Sequence, residues 1–208
     1  MNSYKTIQNC SEIENIINKS RFIGRCFPVE SEEEALAYLN DIRKKHWDAR
    51  HNCYAYIIGD TGAIARFSDD GEPGGTAGMP MMDVLKNKGI TNVLCVVTRY
   101  FGGILLGTGG LVRAYSGACR DAVEKAGMIS VGIGTEFELK VDYNRFGSIE
   151  SYIRTNSQVD NIEYTELITI KATVENELAE KFVSDIIDKT DGKVTPKKIG
   201  ESYIKKEI

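Results

Sequence analysis

The chain has 208 residues, 42% of them hydrophobic, with 26 basic and 30 acidic side chains and a formal net charge of −4. That size accommodates one large domain or two small ones with packed cores, and the acidic balance excludes a protein that coats nucleic acid by global attraction. No stretch reaches the roughly 18 apolar residues of a membrane span, and the polar residues 1–10 lack a secretory signal, so the expectation is a cytoplasmic protein with no membrane partner.

Residues 31–46 read as a helix. Ser31 and Glu34 form a capping box, Leu36, Leu39 and Ile42 recur at helical spacing, and Arg43, Lys44 and Lys45 stand at the carboxyl end, where the helix dipole favours cations. Residues 52–58 and 63–67 read as strands around Gly59-Asp-Thr-Gly62, a composition that suits a hairpin turn. A helix is expected over 76–88, closed by Gly89, and a buried strand over 92–98. A further helix follows, with Thr108 as its cap, Leu111, Tyr115, Ala118 and Ala122 on one face, and Gly127 as its stop.

From about residue 134 the pattern becomes strand 136–143, helix 144–156, two strands across 158–174, helix 176–189 and a strand near 193–204. That βαββαβ order is the ferredoxin-like signature. The expected fold class is α+β in two domains, 1–132 and 133–208, joined near Val131-Gly-Ile-Gly134. The acidic excess lies wholly in the second of these, so any polyanion site is a local patch, and the first is its more natural host.

Half of the 20 glycines lie between Gly71 and Gly110. Glycine destabilises helix and strand interiors by roughly 0.5–1 kcal/mol relative to alanine, so the cluster implies turns, tight packing or close backbone approach by a ligand. A helix that starts on Gly107-Thr-Gly-Gly110 presents unpaired amides and a positive dipole end to phosphate or carboxylate. Arg99 and Arg113 flank it with guanidinium groups suited to bidentate phosphate contacts, and Tyr100 and Phe101 offer stacking surfaces for bases. The candidate RNA or anion site is therefore Arg99, Tyr100, Gly102, Gly103, Gly107, Thr108, Gly109, Gly110 and Arg113. The competing reading is internal: glycines that permit close packing, aromatics in the core, arginines solvated or paired.

Accessory candidates are His51, Asp69, Asp70, Glu72, Gly74, Gly75 and Thr76. The three carboxylates with His51 could hold a hard cation or act as acid and base, but Asp and Gly also serve simply as turn residues, and the arginines offer the carboxylates another partner. No metal site, cofactor or catalytic residue is expected. The cysteines Cys10, Cys26, Cys53, Cys95 and Cys119 are scattered singly and read as reduced thiols, and phosphate-loop, dinucleotide, nucleophile-elbow and zinc-helix patterns are missing.

The segments Ser68-Asp-Asp-Gly-Glu-Pro-Gly-Gly-Thr-Ala-Gly78 and Val96-Val-Thr-Arg-Tyr-Phe-Gly-Gly-Ile-Leu-Leu-Gly-Thr-Gly-Gly-Leu-Val-Arg-Ala-Tyr-Ser-Gly-Ala118, with His51-Asn-Cys53, strongly resemble the YigZ/IMPACT family, in its bacterial two-domain form. The resemblance implies an amino-terminal domain like the second domain of ribosomal protein S5 and a ferredoxin-like carboxyl domain, shapes similar to the fourth and fifth domains of elongation factor G. It implies a nucleic-acid- or ribosome-linked role in regulation of translation, and the leading expectation is a non-catalytic factor that binds RNA or the ribosome, with a regulatory module for a translation-related protein partner as an alternative. Small-molecule kinases share the S5-like fold, which keeps a second expectation open: an enzyme or binding protein for a small phosphorylated metabolite or nucleotide at the same helix start.

Overall fold

The computed structural model describes residues 3–208. The chain forms a mixed α/β architecture of two compact units, one built on Tyr4–Ser130 and the other on Val131–Lys206.

The first unit centres on a five-stranded antiparallel sheet. Its strands are β2 (Ser11–Ile17), β3 (Ser20–Pro28), β4 (His51–Ile58), β5 (Ile64–Ser68) and β6 (Val93–Tyr100), in the order β2-β3-β6-β4-β5; the short β1 (Tyr4–Ile7) precedes them. β6 is central and reads Val-Leu-Cys-Val-Val-Thr-Arg-Tyr, an apolar run that suits burial on both faces. Successive side chains point to opposite faces, so Val93, Cys95 and Val97 join one core while Leu94 and Val96 join another.

Helix α1 (Glu32–Lys45) covers one face. The Ser31 hydroxyl accepts the Glu34 amide at 3.2 Å, and the Glu34 carboxylate accepts the Glu30 amide at 2.8 Å, so the capping pair forms with its return bond shifted one residue upstream. The buried stripe is Ala35, Leu39 and Ile42, at i, i+4 and i+7; Leu36, expected inside, is exposed one position round the helix.

Helices α2 (Gly78–Lys88) and α3 (Gly107–Ala126) cover the other face. Pro80 sits in the first turn of α2, where its missing N–H removes no intrahelical bond, and Gly89 closes the helix at φ 63°. α3 buries Leu111, Ala114, Tyr115, Ala118, Cys119 and Ala122. Its small residues bring the helix close to β3: a Cβ on Gly24 would lie 2.6 Å from the Ala118 carbonyl oxygen.

The second unit follows the strand β7 (Met128–Val141) with α4 (Tyr143–Asn156), β8 (Gln158–Tyr164), β9 (Ile168–Glu175), a 3-10 turn (Asn176–Leu178), α5 (Ala179–Lys189) and β10 (Lys197–Glu207). β8 pairs β9, β9 pairs β7, and β7 pairs both β10 and the short β1, five strands in one sheet. Asp142 caps α4 by accepting the Arg145 amide at 3.0 Å, and Ile149, Ile153, Phe182 and Ile186 from the two helices pack with Leu139, Ile170 and Ala172 of the sheet. Among the described residues no helix is long and apolar enough to cross a membrane.

Candidate functional site

The end of β6 sends Arg99 to the α2/α3 side of the sheet and Tyr100 to the α1 side. On the first side, Arg99 is only 6% exposed. Its Nη1 donates to Glu72 Oε1 at 2.7 Å, and the Tyr115 hydroxyl donates to the same oxygen at 2.7 Å. The guanidinium carbon lies 5.4 Å from the Phe22 ring centre and 5.5 Å from that of Phe101. Arg99 Nε is the one fully buried side-chain nitrogen or oxygen, among the described residues, without a hydrogen-bond partner. Such a pair holds the glycine segment of Glu72 onto β6 and α3, and it takes the guanidinium away from solvent. The phosphate contact expected of Arg99 therefore gives way to an internal ion pair.

The remaining accessory residues also act within the fold. Asp69 accepts the amides of Gly75 (2.8 Å), Ala77 (3.0 Å) and Gly78 (2.8 Å), so it caps α2 from outside the helix. Asp70 accepts the Asn52 amide at 2.7 Å and pairs with Arg43 at 3.3 Å. The Thr76 hydroxyl bonds the Pro73 carbonyl, while Gly74 and Gly75 are exposed turn residues, Gly75 at φ 76°. His51 Nδ1 lies 2.9 Å from the Asp70 carbonyl, which can only accept, so Nδ1 carries the proton and Nε2 faces Glu72 Oε1 at 4.0 Å. The Cys53 thiol donates to the Asp69 carbonyl, and burial pushes its pKa up to about 12, outside the range of a neutral-pH nucleophile. Among the described residues no group of three or more His, Cys, Asp or Glu is arranged to hold a metal ion.

The second glycine segment lies open. Gly102 passes so close to the β2–β3 turn that a Cβ there would sit 2.0 Å from the Lys19 carbonyl carbon, and its amide donates to Ser20 Oγ at 3.1 Å. Gly103 (φ 83°) and Gly107 (φ 69°) take left-handed conformations on either side of Ile104-Leu105-Leu106, of which Leu105 is 84% exposed. The cap of α3 is Leu106, whose side chain accepts no hydrogen bond; Thr108, expected as the cap, lies exposed inside the first turn because the helix begins one residue earlier, on Gly107. The first turn holds no acidic residue. The amides of Gly107, Thr108 and Gly109 thus begin a twenty-residue helix with no side-chain cap. Gly110 follows them in the first turn, packed against Leu106. The guanidinium of exposed Arg113 has no hydrogen-bond or ion-pair partner among the described residues, and its Nη1 lies 3.8 Å from where a Gly109 Cβ would stand.

On the α1 side sits a polar network with no signal in the sequence beyond its residue types. Buried Arg25 donates from Nε to Glu12 (2.6 Å), from Nη1 to Thr98 Oγ1 (3.0 Å) and from Nη2 to His46 Nε2 (2.7 Å). An arginine only donates, so His46 accepts at Nε2 and donates from Nδ1 to the Tyr100 hydroxyl at 2.9 Å, which donates in turn to Asp48 at 2.9 Å. Burial, with Arg25 and Lys45 adding to it, holds the His46 pKa below its usual value. Tyr100 is thereby fixed by hydrogen bonds, whereas Phe101, the next residue, remains exposed.

Fold and site together define a two-domain α/β protein whose first unit exposes an uncapped, glycine-rich helix start next to a buried arginine–glutamate pair. Residues 18–123 match the family model described as the Impact N-terminal domain, and residues 139–193 match one described as Domain of unknown function (DUF1949). The chain belongs to the IMPACT family. It is 37% identical over 209 residues to the IMPACT family member YvyE of Bacillus subtilis, covering 100% of this chain and 96% of that one. It is 36% identical over 179 residues to the IMPACT family member YigZ of Escherichia coli, covering 85% and 88%. A solved structure described as the crystal structure of an hypothetical protein superposes with a TM-score of 0.61 at 33% identity, covering 96% of this chain and 98% of that one.

Proposed function

We propose that this protein acts in the regulation of translation as a non-catalytic RNA- or ribosome-associated factor in the cytoplasm, and that it holds phosphate groups at the start of α3. Membership of the IMPACT family supports the link to translation. The pairing of β7 with both β9 and β10, and of β9 with β8, supports the ferredoxin-like reading of the second unit, and the antiparallel sheet under α2 and α3 supports the S5-like reading of the first. Fold likeness alone is weak ground for function. The observation that carries the reading is local: within the first unit, side chains cap α1 and α2, through Ser31 and Asp69, while α3 starts on glycines with its amides uncapped and Arg113 beside them. Helix amides aligned with a dipole bind anions, and glycine lets a phosphate approach the backbone. Arg113, not Arg99, supplies the guanidinium, with Gly102, Gly103, Gly107, Thr108, Gly109 and Gly110 shaping the approach.

Thr108→Asp tests this. A carboxylate in the first turn satisfies the helix start, so stability holds or rises by about 0.3–1 kcal/mol, while a bound phosphate is displaced. Ribosome co-sedimentation and RNA titration should therefore weaken while the melting temperature does not fall. Unchanged RNA affinity in Thr108→Asp rules out the α3 start as the phosphate site, and binding of nucleotides or phosphorylated metabolites without RNA would replace it with the small-ligand reading.

A further inference from the structure

Trp47 is the only tryptophan in the chain and is 83% exposed. A side chain of this size in water gains nothing for the fold, yet its surroundings are rigidly held. His46 and Asp48, on either side of it, both bond the Tyr100 hydroxyl, so the backbone that carries the indole is pinned to the end of β6. The neighbouring cations are Arg43, Lys44, Lys45 and Arg50; Asp48 stands among them, and Arg43, Lys44 and Lys45 pair with Asp70, Asp41 and Glu12, which leaves Arg50, among the described residues, as the cation without a counter-charge. Lys44 and Lys45 make only exposed ion pairs, of 3.7 and 3.9 Å, and Arg50 is exposed with no partner among the described residues. Exposed pairs of this kind exchange readily for phosphate.

We propose that Trp47 is a base-stacking platform for single-stranded RNA, with Lys44, Lys45 and Arg50 holding the flanking phosphates. This rests on the RNA reading above and gives it a second contact. The chemistry selects a single strand: an indole face can receive only an unpaired base, while point charges beside it follow the backbone without reading sequence. At the end of β6, Tyr100 bonds His46 on the α1 side while Phe101 lies against Arg99 on the other, so a chain that stacks on Trp47 and reaches the α3 start passes round the end of β6. Because His46 and Asp48 hold the backbone on either side, the ring is presented at a fixed place on the surface, which lowers the ordering cost of binding.

Because no other tryptophan contributes, the intrinsic fluorescence of the full chain reports on this residue alone. The experiment titrates an end-labelled oligouridylate of about ten nucleotides, following label anisotropy and tryptophan emission together. The expected result is quenching that saturates with the same midpoint as the anisotropy, near-normal affinity in Trp47→Phe, and a loss of roughly 5- to 150-fold in Trp47→Ala, the range that base–aromatic stacking supplies. Circular dichroism of Trp47→Ala should match the wild type, since the side chain is outside every core. Anisotropy that rises while emission stays constant, with Trp47→Ala binding normally, overturns the platform and leaves the α3 reading standing. A wild-type chain that does not bind the oligomer at all overturns both, as does quenching by polyglutamate in place of RNA.

Discussion

Glu72→Ala should be the most damaging single change in the first unit. The Glu72 side chain is 3% exposed and the Arg99 side chain 7%, and one carboxylate oxygen serves both Arg99 and Tyr115. Truncation leaves the guanidinium in the core with Nη1 as well as Nε lacking an acceptor, and strands the Tyr115 hydroxyl. Breaking a buried pair from one side destabilises by roughly 3–5 kcal/mol, against a typical total of about 5–15. At about 4 °C per kcal/mol for a unit of this size, the melting temperature of the first unit falls by roughly 10–20 °C. Glu72→Gln keeps the shape and one acceptor and should lose less, roughly 1–3 kcal/mol. The assay is thermal and urea unfolding followed by circular dichroism, run as a double-mutant cycle with Arg99→Met. Removing both charges should recover part of the loss, giving a coupling of about 2 kcal/mol or more. A Glu72→Ala change within about 0.5 kcal/mol of wild type, or a strictly additive cycle, refutes the buried pair as the tie between the glycine segment and α3.

Gly102→Ala should destabilise the first unit by more than about 1 kcal/mol, since a Cβ 2.0 Å from the Lys19 carbonyl carbon forces backbone to move; an unchanged urea midpoint counts against the close approach. His46 is held below its usual 6.5 by burial, Arg25 and Lys45, with Glu12 and Asp48 opposing. The unfolded chain then binds the proton first, so the His46 contribution is full above 6.5 and lost as pH falls from there through the folded value. His46→Gln should flatten the fall in urea midpoint between about pH 7 and pH 5, and an equal fall in both proteins contradicts the network. A chromogenic disulfide reagent at neutral pH should react quickly with Cys10 alone, because Cys26, Cys53, Cys95 and Cys119 are buried and the Cys53 thiol is raised to about 12; fast reaction of a second thiol would contradict that packing.

Much of the fold was legible where local chemistry and tertiary packing agree. The cap and basic end of α1, the left-handed Gly89 after α2, the Gly127 stop of α3 and the β–α alternation of the second unit all carry their own local signals. The β2–β3 hairpin is harder to see: Asn18 and Lys19 both take positive φ, at 47° and 64°, and a lysine stands where glycine usually marks such a turn. The alternation Glu12-Ile13-Glu14 was its one usable cue. At the site, sequence placed Arg99 and Glu72 in the right segments but could not say that they meet, since they come from segments 27 residues apart and only folding brings them to one oxygen. Thr108 misled because threonine is a good cap in general, whereas here Gly107 at φ 69° starts the helix ahead of it. Arg113 and the exposed Trp47 depend on which side of a helix or turn faces water, and neighbouring residues alone do not settle that.

The phosphate site proposed at the start of α3 depends on Arg113. Its most direct test is the affinity of wild type and Arg113→Ala for single-stranded RNA across a salt series from about 50 to 200 mM, plotted as logarithms. A phosphate held there requires a steep fall with salt in the wild type and a slope shallower by about 0.7, one phosphate, in the variant, with both proteins equally stable. Identical slopes and affinities in the two proteins would contradict it.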